Sequence, residues 1–158
     1  MTQNRVNSTR VLLQRVNTST SSLVTCSTTI PADDTIPQNT EGTEVLTLAI
    51  TPSTTTTTLV IDYSSPTIQT DAGSQNITVA LFQDSTANAL MAQSCLVGSN
   101  RSTTAELRYI MTSGTTSSTT FKIRIGSSAG TAYVNGGAAG TRRDGGVSSA
   151  NLMISEYL

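Results

Sequence analysis

Apolar residues in this chain recur at every second position far more often than at every third or fourth. Leu107, Tyr109 and Met111 alternate with Arg108 and Ile110, and Phe121, Ile123 and Ile125 alternate with Lys122 and Arg124. A two-residue period sends successive side chains to opposite faces, so these segments read as half-buried strands. Leu59, Ile61 and Tyr63 against Val60 and Asp62, and Ile77, Val79 and Leu81 against Thr78 and Ala80, repeat the pattern. Near the C-terminus Leu152, Ile154 and Leu158 share one side, which Glu156 interrupts. The run from Glu44 to Thr51 is apolar on both sides, which predicts a central strand or one covered by a partner. Val11 to Val16 reads as the first strand of the chain.

Turn-forming clusters separate these runs: Pro31 to Asp34, Pro52 to Ser53, Ser64 to Pro66, Asp71 to Ser74, Gly98 to Ser99, Ser113 to Gly114, Gly126 to Gly130 and Gly136 to Gly140. A weak helical stripe runs through Ser85 to Leu96, where a turn at Asp84 to Asn88 followed by a strand is the preferred reading. The threonine run Thr54 to Thr58 and the tract Thr115 to Thr120 each lead into a well-patterned strand, where β-branching is favourable. The expectation is an all-β, antiparallel sandwich of about 8–10 strands. Residues 1–22 read as an N-terminal arm and first strand, and 23–158 as the sandwich domain.

Composition narrows the chemistry. Of 158 residues, 30 are Thr and 21 are Ser, while Asp, Glu, Lys and Arg make up only 12 % and the net charge is −1. So small a field gathers neither phosphates nor an anionic bilayer, which argues against nucleic acid and membrane partners. There is no His, which removes Ser/His/Asp and Cys/His nucleophilic machinery and the His-containing zinc sites. No apolar stretch approaches the roughly 20 residues of a membrane-spanning helix. The opening MTQNRVNSTR lacks the apolar segment of a secretory signal. Apolar content is low, so a monomeric core is thin and self-assembly would bury more.

Carboxylates are the remaining acid/base candidates. Asp33, Asp34, Glu41 and Glu44 cluster in PADDTIPQNTEGTE, a spacing that suits a solvated loop better than a metal site or a glycosidase pair. The stretch GTRRDGG sets Arg142, Arg143 and Asp144 between glycines, read as a charged hairpin turn, with a subunit interface or an anion bound by Arg forks as functional readings. Cys26 and Cys95 read as buried free thiols in apolar strands, with a long-loop disulfide as the alternative. Sequons at Asn7, Asn17, Asn76 and Asn100 are about as many as chance supplies in so Ser/Thr-rich a chain. No Gly-rich stretch follows a strand and opens a helix, so no nucleotide or other cofactor is expected.

Four segments, TTIPADDTIPQNTEGTEVLTLAITP (28–52), ITVALFQDSTANAL (77–90), YIMTSGTTSSTTFKIRIG (109–126) and GTRRDGGVSSANLMISEYL (140–158), resemble in their order a widespread set of bacteriophage virion proteins of the tail-fibre or minor structural type. Such modules resemble trimeric jelly-roll heads of the tumour-necrosis-factor type. The resemblance implies a homotrimer on a virion assembled in the host cytoplasm, with the C-terminal strand carrying Leu152, Ile154 and Glu156 inside a sheet near a three-fold axis. It also implies a non-enzymatic role with other virion proteins as partners. That role is either contact with a glycan or protein of the host surface or, alternatively, decoration of the capsid, where trimers stabilise the head.

Overall fold

The computed structural model describes residues 10–98, 101–138 and 140–158. The first nine positions of the expected arm, with Asn7, lie outside the described residues, as does Asn100. Ten strands follow one another: β1 (Leu12–Thr20), β2 (Val24–Cys26), β3 (Thr43–Ile50), β4 (Thr58–Thr70), β5 (Gln75–Gln83), β6 (Met91–Val97), β7 (Ser102–Thr112), β8 (Thr119–Ser127), β9 (Ala132–Val134) and β10 (Ala150–Tyr157). The one helical element among the described residues is a 3₁₀ turn at Asp144–Gly146. Ser85 to Leu96 is the turn followed by a strand that the sequence favoured.

Every named pairing is antiparallel. Leaving aside the three-residue strands β2 and β9, the pairs nest from the outside in: β1 with β10, β3 with β8, β4 with β7 and β5 with β6. That is one long hairpin folded over on itself, the jelly-roll arrangement. It yields a first sheet β1-β10-β4-β7, with β9 and β2 continuing along the far half of β4, and a second sheet β3-β8-β5-β6. The C-terminal strand β10 therefore lies inside its sheet, between β1 and β4. The inner faces meet in one apolar cluster that includes Ile61, Tyr63, Leu81, Phe121, Ile123, Leu152 and Ile154.

Four local expectations are corrected by this arrangement. Ser64 to Pro66 is no turn; it lies within the thirteen-residue β4. Pro66 has no amide proton to give a ladder, and it sits where none is required: β10 pairs with β4 up to Ser64, β9 takes over at Ile68, and the β7 register shifts between Ser65 and Ile68. The strand from Thr43 is an edge strand of its sheet, not a central one. A bulge between Glu44 and Leu46 tucks Val45 against the core, whereas Thr47 and Ala49 are exposed, so only one face is truly apolar. Gly126 belongs to β8, opposite Thr78, rather than to a turn; glycine is required there because a Cβ would meet the Ile30 amide nitrogen at 2.7 Å and the Thr28 carbonyl oxygen at 2.8 Å. Leu158 lies beyond β10 and is exposed, leaving Leu152, Ile154 and Glu156 as the buried side of that strand.

The two sheets differ in what covers their outer faces. Behind the second sheet, Ala80 and Phe82 point away from the main core yet are buried, because Ile30 from the 27–42 connection packs over them. The outer face of the first sheet carries polar side chains and grooves. Cys26 and Cys95 are both free; Cys26 is buried, but Cys95, on the edge strand β6, is only half-buried, which corrects its expected burial.

Candidate functional site

Strand register builds two polar constellations at opposite ends of the first sheet. On the inner face, Gln14, Glu156, Leu59 and Met111 lie on one rung across β1, β10, β4 and β7. Glu156 is fully buried. Its Oε1 accepts from the Ser53 amide at 2.7 Å and the Thr57 hydroxyl at 2.6 Å. Its Oε2 accepts from Gln14 Nε2 at 2.6 Å and the Ser53 hydroxyl at 3.1 Å. Gln14 gives its second amide proton to the Thr51 carbonyl, and the Ser113 hydroxyl donates to the Thr54 carbonyl at 2.6 Å. The β3–β4 loop is thus clasped to the ends of β1, β7 and β10.

No cation approaches Glu156 among the described ion pairs, which are Arg108 with Asp62 and Arg124 with Glu44. Burial alone would raise its pKa, but the hydrogen bonds from Thr57, Gln14 and Ser53 outweigh it and hold the carboxyl below its ordinary value. The arrangement is a buried anion satisfied by neutral donors. Three of its four hydrogen bonds come from Ser53 and Thr57, so it ties the β3–β4 loop to β10. The sequence marked Glu156 as an interruption of an apolar face; its partners lie 99 to 142 positions away, beyond any local signal.

At the other end, β10 leaves the flank of β4 and β9 has yet to join it, and Asn135 and Ser148 bond to Thr67 in the notch. Asn135, which the sequence did not single out, is the knot. It is fully buried with φ +62°, a left-handed conformation that Asn tolerates. Its side chain donates to the carbonyls of Thr20 and Ser22, its amide donates to the Thr67 carbonyl, and its carbonyl accepts from the Arg143 amide. The local signal for it is the Asn-Gly pair Asn135–Gly136, a strong turn former.

Arg142 closes a small antiparallel bridge with Gly136, but Arg143 and Asp144 lie beyond it and not in a hairpin turn. β9 and β10 both pair with β4 and not with each other, so these residues lie in a long connection whose 3₁₀ turn has positive φ at Asp144, Gly145 and Gly146. The Arg142 guanidinium lies over Gly146, and Arg143 reaches toward Gly137 beside Gln69. Asp144, by contrast, lines a groove of about 630 Å³ together with Ser64, Pro66, Glu106, Ser148 and Asn151. A second groove of about 730 Å³ adjoins it, bounded by Asn17, Asp62, Arg108 and Met153, and the two share Ser64, Glu106 and Asn151. Asn17, Met153, Asp62 and Arg108 form one cross-strand rung and Ser19, Asn151, Ser64 and Glu106 the next, all facing away from the core.

The acidic stretch disperses. Asp33 accepts from the amide and hydroxyl of Thr35, which hold its carboxyl below the ordinary value. Glu41 accepts from the Gln38 amide, Glu44 faces Arg124 at 3.8 Å, and Asp34 is exposed. Among the described residues no group of three or more His, Cys, Asp or Glu side chains converges as a metal site would require.

Fold and pairing define the class: a ten-stranded antiparallel jelly-roll sandwich. No protein-family model and no curated protein sequence matches the chain. Among solved structures it is similar to the infectious bursal disease virus VP2 subviral particle (TM-score 0.39, 11 % identity, covering 92 % of this chain and 38 % of that one). It is also similar to a CBM4 structure (0.35, 16 %, 56 % and 54 %) and to the enzymatically active domain of bacteriophage CBA120 tailspike protein 4 (0.29, 12 %, 77 % and 18 %). The chain spans less than two thirds of the length of each.

Proposed function

We propose that the chain is a non-enzymatic structural protein of a bacteriophage particle, acting as the homotrimeric jelly-roll head of a tail fibre or tail appendage that contacts the host surface. The observation that carries this reading is the polarity of the first sheet. One end presents exposed apolar side chains, Val11 at 49 %, Leu12 at 45 %, Leu13 at 40 % and Leu158 at 71 % exposure, gathered by the hydrogen bond from the Leu158 amide to the Val11 carbonyl. Apolar residues so grouped fit burial against other virion proteins. The other end presents the polar grooves, whose hydroxyl, amide and carboxylate groups suit contact with a hydrated surface. The resemblance of the four sequence segments to virion proteins supports the same reading.

The same apolar end favours a second reading, a capsid decoration protein whose trimers stabilise the head. Immunogold labelling of intact virions separates the two. Label confined to the tail or its appendages is expected; label spread over the head replaces the first reading by the second, and particles without label overturn both.

A further inference from the structure

We infer that the continuous groove over Ser64, Glu106 and Asn151 is a binding site for a neutral oligosaccharide chain; this deepens the host-contact reading and rests on it for the source of the glycan. The groove runs from Met153 past Asn151 on β10 to Ser149 just before that strand, about 13 Å at strand rise. That length accommodates a chain of several sugars rather than a single one. Ser64 and Asn151 each donate and accept, and Glu106 and Asp144 can each take paired hydroxyl protons, the complement of a polyol edge. Pro66, Val147 and Met153 supply apolar surface for sugar C–H faces, in place of an aromatic platform.

Charge decides which glycan. The lining carries three carboxylates, Asp62, Glu106 and Asp144, against one guanidinium, Arg108, which itself lies 3.5 Å from Asp62. Sialylated, sulfated or phosphorylated chains meet repulsion there, whereas a neutral chain does not. The walls are held before any ligand arrives: the Ser148 and Thr67 hydroxyls touch at 3.4 Å, the Ser149 hydroxyl donates to the Thr20 carbonyl at 3.2 Å, and Asn151 Nδ2 donates to the Ser149 carbonyl at 2.9 Å. Polar groups fixed in this way lose little entropy on binding.

The test uses the full chain labelled with ¹⁵N and titrated with neutral hexose and N-acetylhexosamine oligosaccharides, maltoheptaose and chitohexaose among them, and with oligosialic acid as the anionic probe. At about 10 mM oligosaccharide, which saturates a site of about 1 mM dissociation constant, a neutral probe is expected to shift the amides of Ser64, Glu106 and Asn151. Glu106→Ala and Asn151→Ala change exposed positions and are expected to weaken binding roughly tenfold each, with Tm unchanged. Shifts elsewhere on the surface, affinity unaltered in both variants, preference for oligosialic acid, or no neutral probe bound would overturn the site. Tail label on virions with a silent groove would sink this inference and leave the host-contact reading standing; a binding groove on a protein found on the head would do the reverse.

Discussion

The two ends of the first sheet meet the same problem, polar groups held among strands, in opposite ways. At the Glu156 end a charged group is taken wholly out of water and surrounded by four neutral donors, drawn from β1 and from the loop before β4. At the Asn135 end Asn135 and Gln69 are buried beneath exposed groove residues such as Asp144 and Asn151, the backbone takes positive φ at Asn135, Asp144, Gly145 and Gly146, and Gln69 Oε1 and Asn135 Oδ1 have no hydrogen-bond partner among the described residues. A satisfied buried carboxylate is rigid, since moving any donor exposes the cost of the bare charge. Above the notch, Ser64, Glu106, Asp144 and Asn151 are left exposed to solvent. One sheet is thus closed on a buried carboxylate at one end and carries open polar grooves at the other.

The largest expected effect breaks the clasp. Glu156→Ala leaves the Gln14, Ser53 and Thr57 donors facing a void, and a loss of about 3 kcal/mol is expected, or roughly 6–12 °C in Tm for a chain this size. Urea unfolding should show a lower midpoint at unchanged slope. A loss below about 1 kcal/mol would mean that the loop from Thr51 to Thr57 rearranges to find water, and that the end is not rigid.

The charge of Glu156 gives the clasp a pH signature. Its folded pKa is depressed, so its contribution is fully present above the unfolded value of about 4.3 and is lost as pH falls through the lower folded value. The stability gap between wild type and Glu156→Gln is therefore expected to be constant above about pH 5 and to shrink below about pH 4. Asp33 and Asp71, also depressed by their hydrogen bonds, are present in both proteins and cancel in the difference. A gap that stays level to pH 2 would show that the carboxylate form contributes nothing particular.

The strands with strict alternation, β5, β7, β8 and the first half of β4, were legible because one face of each had to meet the core. So was the antiparallel sandwich, through the number and spacing of turns, whereas its jelly-roll order was implied only by the resemblance of the four segments. The second half of β4 was not: Ser64–Ser65–Pro66 is turn chemistry in any local reading, and only the exchange of β10 for β9 makes a strand possible there. The clasp and the groove were hidden for a related reason. Glu156 looks like a fault in an apolar face until Gln14 is brought opposite it, and the groove combines β1, β4, β7 and β10, aligned by register, with Gln93 of β6 and the 144–149 loop. Of the residues singled out, Asp144 reaches the groove, while Asp33 and Glu41 bond within their own loop, Asp34 is exposed and Glu44 on β3 faces Arg124 of β8.

A middle-sized effect probes what fixes the notch. Asn135→Ala removes the bonds to Thr20 and Ser22 and forces a Cβ-bearing residue without a capping side chain to hold φ +62°, so a loss of about 2 kcal/mol is expected. Asn135→Gly keeps the backbone freedom and should cost about 1 kcal/mol. Thermal unfolding of the pair separates the side chain's two bonds from its tolerance of the left-handed conformation. Equal losses would assign the whole effect to the hydrogen bonds.

The smallest expected effect sharpens the comparison most. Asp144→Asn preserves a residue that accepts φ +51° and removes only a charge at an exposed position that lines the groove, so stability should stay within about 0.5 kcal/mol, as read from the urea midpoint. The corresponding loss of charge at Glu156 strips a buried anion of its reason for four donors. A fold that registers one carboxylate strongly and ignores the other uses the first for its own cohesion and leaves the second free for a partner. If Asp144→Asn instead lowered stability as much as Asn135→Gly, the turn would be part of the framework, and the division of labour between the two ends would fail.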